Sequence, residues 1–345
     1  MPVLSVVIPT LNEAQTLPIL LAQLEAQQEI KLEIIVADGG SKDNTLTNIK
    51  SANVLCLTSE SGRAKQMNAG AKIASGEYLL FLHADSELHD PRLLNEALQF
   101  IRSQDDVNIA GHFALSFKHE NQNHNWAFRY LEEKTLTNRR YSINGDQGLL
   151  IAKQFFRSLG GFDEAMGFME DQQIAEAIFA EGRWLLLPGQ LVTSGRRFET
   201  EGFHRRYILM SLIMGLYWTG AKQFFQRANK VYAQQAETQA LQLWPYFRCI
   251  WQMLIYDFGW WGSIKQWYLV GRYIRQNSWQ LFFFFDVAFR HRLGPGRYPY
   301  TKFHDRYFYP MTNNAICNTA VMIIAFVWFM FVLGPYFYLS DKARQ

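Results

Sequence analysis

Cysteine is scarce. Cys56, Cys249 and Cys317 are the three in 345 residues, odd in number and far apart, so no disulfide framework is implied. Cys56 lies in an apolar, strand-like run and is expected as a buried free thiol. Charge of one sign is also lacking: the formal net charge is +3. With no basic run, zinc-ligand spacing or single-strand-binding signature, the chain gives no sign of a nucleic-acid partner. Two phosphate-binding patterns are missing as well. No G-x-G-x-x-G follows the first strand, and there is no G-x-x-x-x-G-K-[ST], so neither a dinucleotide oxidoreductase nor a P-loop NTPase is supported. The opening "MPVLSVVIPT" has no basic stretch before its apolar residues and is unlike a signal peptide. The N-terminal domain is expected to stay in the cytoplasm.

What the chain has instead is apolar, 49%, and unusually aromatic, 15%. Short apolar runs at Leu4–Ile8, Glu33–Ala37, Val54–Leu57 and Tyr78–Leu82 predict strands. Between the first two, Leu17, Leu20, Leu21 and Leu24 recur at helical spacing. Lys65–Ala74 predicts another helix, with Met67, Gly70, Ala71 and Ala74 on a close-packing face. Asp90-Pro91 predicts the start of another helix, with Asp90 as N-cap and Pro91 at its first position. Strands alternating with amphipathic helices predict an α/β fold, a mostly parallel sheet with helices on both faces.

Ligands of such sheets sit beyond the carboxyl ends of the strands. That rule gathers Glu13, Asp38, Arg63 and Asp85 toward one crevice. Taken singly, Asp38 equally suits a glycine turn and Asp85 a local turn cap. Together they suit a metal-bound nucleotide diphosphate. A carboxylate repels phosphate, but one holding Mg²⁺ or Mn²⁺ attracts it. Such hard cations take oxygen ligands, several of them from the phosphates.

Beyond residue 105, strands are predicted at Ile109–Phe117, Leu149–Ala152 and Trp184–Leu187. Helices are predicted at Trp126–Glu133, up to Leu159, and from about Glu170-Asp171, with a glycine turn at Gly160-Gly161. After residue 200 the character changes. Tyr207–Ala221 carries no charge but is short for a membrane span, so it lies in the interface or packs in a core. Cys249–Ile264 and Ser278–Phe289 are rich in Trp and Phe, each broken by an aspartate, Asp257 and Asp286. They suit either the headgroup layer or a second aromatic core. Tyr307–Ser340 has no charged residue, and Ala315–Leu339 exceeds the ~20 helical residues needed to cross hydrocarbon. Arg297, Lys302 and Arg306 precede it and Lys342 and Arg344 follow, which favours a cytoplasmic N-terminal side. The expected organisation is a catalytic domain at 1–200, an aromatic interfacial helical region at 201–306, and a transmembrane segment at 307–345.

In this order, "SVVIPTLNE", "EIIVADGGSKDNT", "GRAKQMNAGAKIASGEYLLFLHAD", "GGFDE" and "MED" resemble the motifs of family 2 glycosyltransferases over about residues 1–200. The combination "GRAKQMNAGA…LHAD" is most similar to a bacterial subgroup labelled arsenosugar-biosynthesis glycosyltransferases. The resemblance implies a GT-A fold and inverting transfer from a nucleotide diphosphate sugar. It implies that Pro9, Leu11, Glu13 and Asp38 contact the nucleoside and that Arg63 lies near the base or diphosphate. Asp85 would be the metal-binding acid of the family's D-x-D, and Asp171 of Met169-Glu170-Asp171 the catalytic base. Without that context Asp171 is simply a carboxylate favoured by a helix dipole. The first acid of D-x-D is His83 here, which leaves the ribose or sugar contact open. Glu170, Arg196 and Arg197 are further candidates on the phosphate or acceptor side. Of a processive polymerase's Q-x-x-R-W only Arg183-Trp184 are present, so transfer of one sugar is preferred.

The expected protein is a membrane-attached glycosyltransferase using Mg²⁺ or Mn²⁺, its catalytic domain on the cytoplasmic face of a bacterial-type inner membrane. The acceptor is a hydroxyl, either on a lipid or on a soluble molecule. Two alternatives stand beside it: a polyprenyl-phosphate sugar synthase, and an inactive nucleotide-sugar-binding membrane scaffold, the latter motivated by His83.

Overall fold

The computed structural model describes residues 3–165, 169–235 and 241–343. The chain divides into two compact units, Met1–Gly195 and Arg196–Gln345. In chain order the first unit contains β1 (Leu4–Thr10), α1 (Leu17–Glu25), β2 (Leu32–Asp38), β3 (Val54–Thr58), α2 (Arg63–Ile73), β4 (Tyr78–Phe81) and α3 (Leu93–Arg102). It continues with β5 (Ile109–Lys118), α4 (Asn125–Thr135), β6 (Leu149–Ala152), α5 (Lys153–Ser158), α6 (Glu170–Glu181) and β7 (Arg183–Ser194). The strands form one mixed sheet in the order β3-β2-β1-β4-β6-β5-β7. β1 to β4 run parallel to one another, β6 is antiparallel to both β4 and β5, and β7 is parallel to β5.

Alternation along β1 explains the two cores. Leu4, Val6 and Ile8 pack with Leu17, Leu20 and Leu24 of α1 and Leu94, Leu98 and Ile101 of α3. Val7 faces the other way, in a cluster with Ile35, Leu79 and Phe81, Met67 and Ala71 of α2, and Ile174 and Ile178 of α6. Side chains in a strand point alternately to opposite faces, so a strand buried on both faces must be apolar throughout. The sheet is thus sandwiched between helices, as the alternating pattern predicts.

Two sequence expectations need correction. Cys56 is exposed, not buried, because β3 is an edge strand paired only with β2; neighbouring Leu55 is 48% exposed too. The helix expected from Asp90-Pro91 begins at Leu93. Asp90 instead closes a preceding turn, its carboxylate accepting from Arg92 N at 2.9 Å. The predicted strand at Ile109–Phe117 is present as β5, and its register against β7 shifts between His112 and Ala114, a bulge that resets the pleat.

The second unit is helical: α7 (Arg196–Glu201), α8 (Phe203–Trp218), α9 (Lys222–Gln235), α10 (Trp244–Gln252), α11 (Gly259–Gln276) and α12 (Trp279–Ala288), then α13 (Arg290–Leu293), α14 (Pro299–Phe303), α15 (Tyr309–Thr312), α16 (Ala315–Val327) and α17 (Gly334–Lys342). α16 runs through a π turn into α17, giving a 28-residue helix, Ala315–Lys342. Among the described residues it is the one helix long and apolar enough to cross a membrane, and only 11% of its most apolar window is buried. The aspartates that interrupt the aromatic stretches have local partners. Asp257 pairs with both terminal nitrogens of Arg227. Asp286 is 1% exposed and accepts from Tyr300 N and Thr301 N, at 2.9 and 2.8 Å, at the start of α14. Buried Arg205 of α8 binds Asp341 and Ser340 of α17. Asp341 also accepts from Trp244 N at 2.7 Å. Near the other end of the long helix, Arg275 of α11 donates to Asn318 at 2.6 Å and Asn313 at 2.8 Å.

α2 packs tightly on β1 at Gly70. A Cβ there would lie 2.4 Å from Cγ1 of Val7, inside a packed core that has no slack for a methyl group. Gly70→Ala is therefore expected to destabilise the protein by about 1–3 kcal/mol, read as a lowered thermal midpoint. An unchanged midpoint would show that α2 sits further from β1 than described.

Candidate active site

Register builds the site edge. Thr10 of β1 is level with Asp38 of β2, and Asp38 with Thr58 of β3. β4 ends beside them at Phe81 and leads directly into Leu82-His83-Ala84-Asp85. β6 runs the other way, with Phe81 level with Leu149. The segment that enters β6, Asn144 to Gly148, therefore lies at the same edge as the segment that leaves β4.

On the β1–β2 side the polar residues knit two loops together. Asp38 is 1% exposed and accepts from Gly40 N and Ser41 N at 2.9 Å each, from Ser41 Oγ at 2.5 Å and from Thr10 Oγ1 at 3.2 Å. Burial pushes its pKa up, but these hydrogen bonds outweigh burial and hold it below the ordinary aspartate value. Asn12 N donates to Ser41 Oγ, Lys42 N to Asn12 Oδ1, and Glu13 N to Thr45 Oγ1, each at 2.8 Å. The Glu13 carboxylate accepts from Thr16, Leu11 is 45% exposed, and Pro9 is held in β1 opposite Ala37. Gln66 Nε2 donates to both Thr10 O and Ala37 O at 2.8 Å, locking the ends of β1 and β2 against α2.

The charged side centres on Arg63, the first residue of α2. Its Nε lies 3.1 Å from Oε1 of Glu170, and its Nη1 lies 3.2 Å from Nε2 of His83. His83 Nδ1 is 2.7 Å from Oδ1 of Asp146. Burial lowers the Arg63 pKa, but Glu170, Asp171, Asp146 and Asp85 more than offset it and raise the guanidinium above its usual value. Glu170 is 2% exposed. Burial pushes its carboxyl above the ordinary range, Arg63 pulls it down, and Asp171 pushes it up again. Asp171 is fixed by two backbone donors, Gly145 N at 2.9 Å and Gln172 N at 2.8 Å. The residue before this pair, Met169, has φ 74°. A left-handed methionine costs on the order of 1–3 kcal/mol, and such strain clusters at functional sites. Arg63, His83, Gly145, Glu170 and Asp171 line one cavity, floored by Phe81, Phe162 and Trp184.

The structure thus brings together Arg63, His83, Asp85, Glu170 and Asp171. It puts Pro9, Leu11, Glu13 and Asp38 on the neighbouring loops. Arg196 and Arg197 open α7 in the second unit. Sequence reasoning missed Asp146, Gly145, Gln66 and Asn68. Asn68 holds the loop before α6 by pairing with both backbone groups of Phe162, at 2.8 and 3.0 Å. The signal for Asp146 was available in "NGDQG", an acid between glycines just before an apolar strand.

Among the described residues no three His, Cys, Asp or Glu side chains cluster as metal ligands. A hard cation that draws most of its oxygens from a diphosphate needs few from the protein. Asp85 fits that role: it is half-buried and its carboxylate is not engaged by any hydrogen bond among the described residues. His83 does not fit it, because both of its ring nitrogens are engaged.

Residues 5–158 match the model of Glycosyl transferase family 2. The matched segment covers β1 to α5, and the seven-stranded α/β sheet with helices on both faces is the fold class that the family resemblance implies. Relatives of this family segment include an uncharacterized glycosyltransferase of Haemophilus influenzae, 27% identical over 49% of this chain and 59% of that protein. A PGL/p-HBAD biosynthesis glycosyltransferase of Mycobacterium tuberculosis is 36% identical over 31% of this chain and 45% of that one. A dolichol-phosphate mannosyltransferase of Pyrococcus furiosus is 30% identical over 36% of each chain. The chain therefore spans less than two thirds of the length of these relatives. Among solved structures, S. aureus TarS 1-349 in complex with UDP aligns at TM-score 0.49 and 16% identity, over 83% of this chain and 87% of that one. Mannosyltransferase PcManGT from Pyrobaculum calidifontis, in complex with GDP-Man and Mn2+, aligns at 0.46 and 16%, over 96% and 87%.

The Asp38 turn has a testable pH signature. Its folded pKa lies below the ordinary 3.8, so its contribution is complete above that value and is lost as pH falls through the lower folded one. Asp38→Asn should lower stability at neutral pH and flatten the acid limb of a plot of thermal midpoint against pH. An acid limb with unchanged slope would mean that other carboxylates govern that decline.

Proposed function

We propose that this protein is an inverting family 2 glycosyltransferase that moves one sugar from a nucleotide diphosphate sugar to an acceptor hydroxyl. One observation carries the reading. Within a chain whose residues 5–158 match that family, Arg63 is set among Glu170, Asp171, Asp146 and Asp85 at one end of the sheet. The nucleoside would occupy the β1–β2 side, against the loops of Pro9, Leu11, Glu13 and Asp38. Arg63 faces the diphosphate and stabilises the charge that builds on it as its bond to the anomeric carbon breaks. Mg²⁺ or Mn²⁺, held by Asp85 when bound, supplies neutralisation of that same charge. Asp171 takes the acceptor proton as the hydroxyl attacks from the opposite face of the sugar, which inverts the anomeric centre. Its two backbone donors fix the carboxylate in one orientation before the acceptor arrives.

The 28-residue helix Ala315–Lys342 supports membrane attachment. The proposal further puts the catalytic unit on the cytoplasmic face of a bacterial-type inner membrane and takes a lipid as acceptor. Likeness to a dolichol-phosphate mannosyltransferase favours a second reading, in which the acceptor is a polyprenyl phosphate and little base catalysis is needed.

Transfer or donor hydrolysis in detergent, with Mg²⁺ or Mn²⁺, tests the assignment. Asp171→Asn is expected to lower kcat by roughly 10²–10⁴-fold, and Asp85→Ala to lower turnover and weaken its dependence on the divalent ion. Unchanged turnover in both variants rejects these site roles. An Asp171→Asn enzyme that stays active, with product partitioning into organic solvent, selects the polyprenyl-phosphate reading. Extraction of the protein from membranes by alkaline carbonate would reject a spanning helix.

A further inference from the structure

The His83–Asp146 contact has a chemical consequence. Arginine has donors only, so the nitrogen facing Arg63 Nη1 at 3.2 Å, His83 Nε2, is the acceptor. The ring proton then sits on Nδ1 and is donated to Asp146 Oδ1, 2.7 Å away. A carboxylate on one imidazole nitrogen fixes which nitrogen carries the proton. The four side chains form one line: the Asp146 carboxylate, a neutral imidazole, the Arg63 guanidinium and the buried Glu170 carboxylate. His83 and Glu170 hold two of the three guanidinium nitrogens. Among the described residues no protein acceptor engages the third, Nη2.

We propose that Asp146 is a positioning residue for sugar transfer, acting through the His83 tautomer to aim Arg63 at the distal phosphate of the donor. Aspartate at position 83 would occupy the Arg63 fork directly as a second anion. The imidazole passes the influence of an anion on a different segment while keeping its own contact with Arg63 uncharged. The missing first acid of D-x-D is thus replaced by a two-residue device, one residue from the segment leaving β4 and one from the segment entering β6. Gly145 is part of the device, since a Cβ there would lie 3.0 Å from His83 Nε2 and 3.5 Å from Arg63 Nη1. This inference rests on the reading of the crevice as a nucleotide-sugar site.

Two measurements on the full chain in detergent test it. The first is a mutant cycle of Asp146→Ala and Arg63→Ala followed by transfer kinetics. Asp146→Ala is expected to lower kcat on the order of 10–100-fold with a smaller change in donor KM. Its effect should vanish in the Arg63→Ala background, because residues in one network are not additive. Asp146→Asn, whose amide oxygen still accepts from Nδ1, should lose less. Equal losses from Asp146→Ala in both backgrounds, or no loss in either, overturn the proposal and leave the transferase reading intact. The second is ¹⁵N NMR of the histidine rings at about pH 8, with the His83 signal assigned by its absence in His83→Gln. It needs no turnover, so it decides even if no sugar is transferred. The proton is expected on Nδ1 in the wild type and redistributed toward Nε2 in Asp146→Ala. A wild-type ring protonated on Nε2 overturns the proposal.

Discussion

The first unit depends on one ion pair. Glu170 is a carboxylate with 2% exposure, and such a group is costly to bury unless a cation accompanies it. Arg63 is that cation, at 3.1 Å. Because Arg63 begins α2 and Glu170 begins α6, the pair ties the starts of two helices on the same side of the sheet. Asp171 follows Glu170 directly, so its position is inherited from the pair. His83, just past the end of β4, contacts the same guanidinium, and Asp146, from the entry to β6, contacts His83 in turn. Removing the guanidinium would strand Glu170 and leave its carboxyl, already raised by burial, with stronger reason to take a proton. The pair is therefore both a joint in the fold and the source of positive charge at the site.

Much of this was legible in the sequence, for a physical reason. Parallel strands buried on both faces must be apolar runs, so β1, β2 and β4 announce themselves, and the residues that follow each run fall at one edge. Asp38, Arg63, His83 and Asp85 were located in this way. Asp171 came from its motif and from its place at a helix start. Asp146 was lost because the rule of carboxyl ends assumes that all strands run one way. β6 runs against β4, so its amino end shares the edge, and strand direction is not written in a four-residue apolar run. Cys56 failed for a related reason: an edge strand and a central strand can have the same composition, and only pairing partners distinguish them. Gln66 and Asn68 look like ordinary helix residues in sequence. Their roles as clamps on backbone groups at Thr10, Ala37 and Phe162 appear only when the loops are in place.

The second unit shows what polar residues do inside an aromatic, apolar sequence. Asp286 caps a helix start, Asp257 holds Arg227, and neither marks the edge of an apolar segment. A hydropathy pattern registers these aspartates as interruptions, whereas in the fold each is satisfied and local. Arg205 and Arg275 do the same for the long apolar helix, one near each end.

Those two arginines set a ruler. Asn318 and Asp341, the residues of the helix that they grip, are 23 positions apart, from 341 − 318, which at ~1.5 Å of rise per residue is about 35 Å. The oily layer of a typical bilayer is ~30 Å thick. Where the helix crosses a membrane, as proposed, the two grips bracket that layer and neither can slide without pulling a buried guanidinium from its partners. A thinner lipid environment would then be met by leaning the whole bundle and not by unwinding its ends.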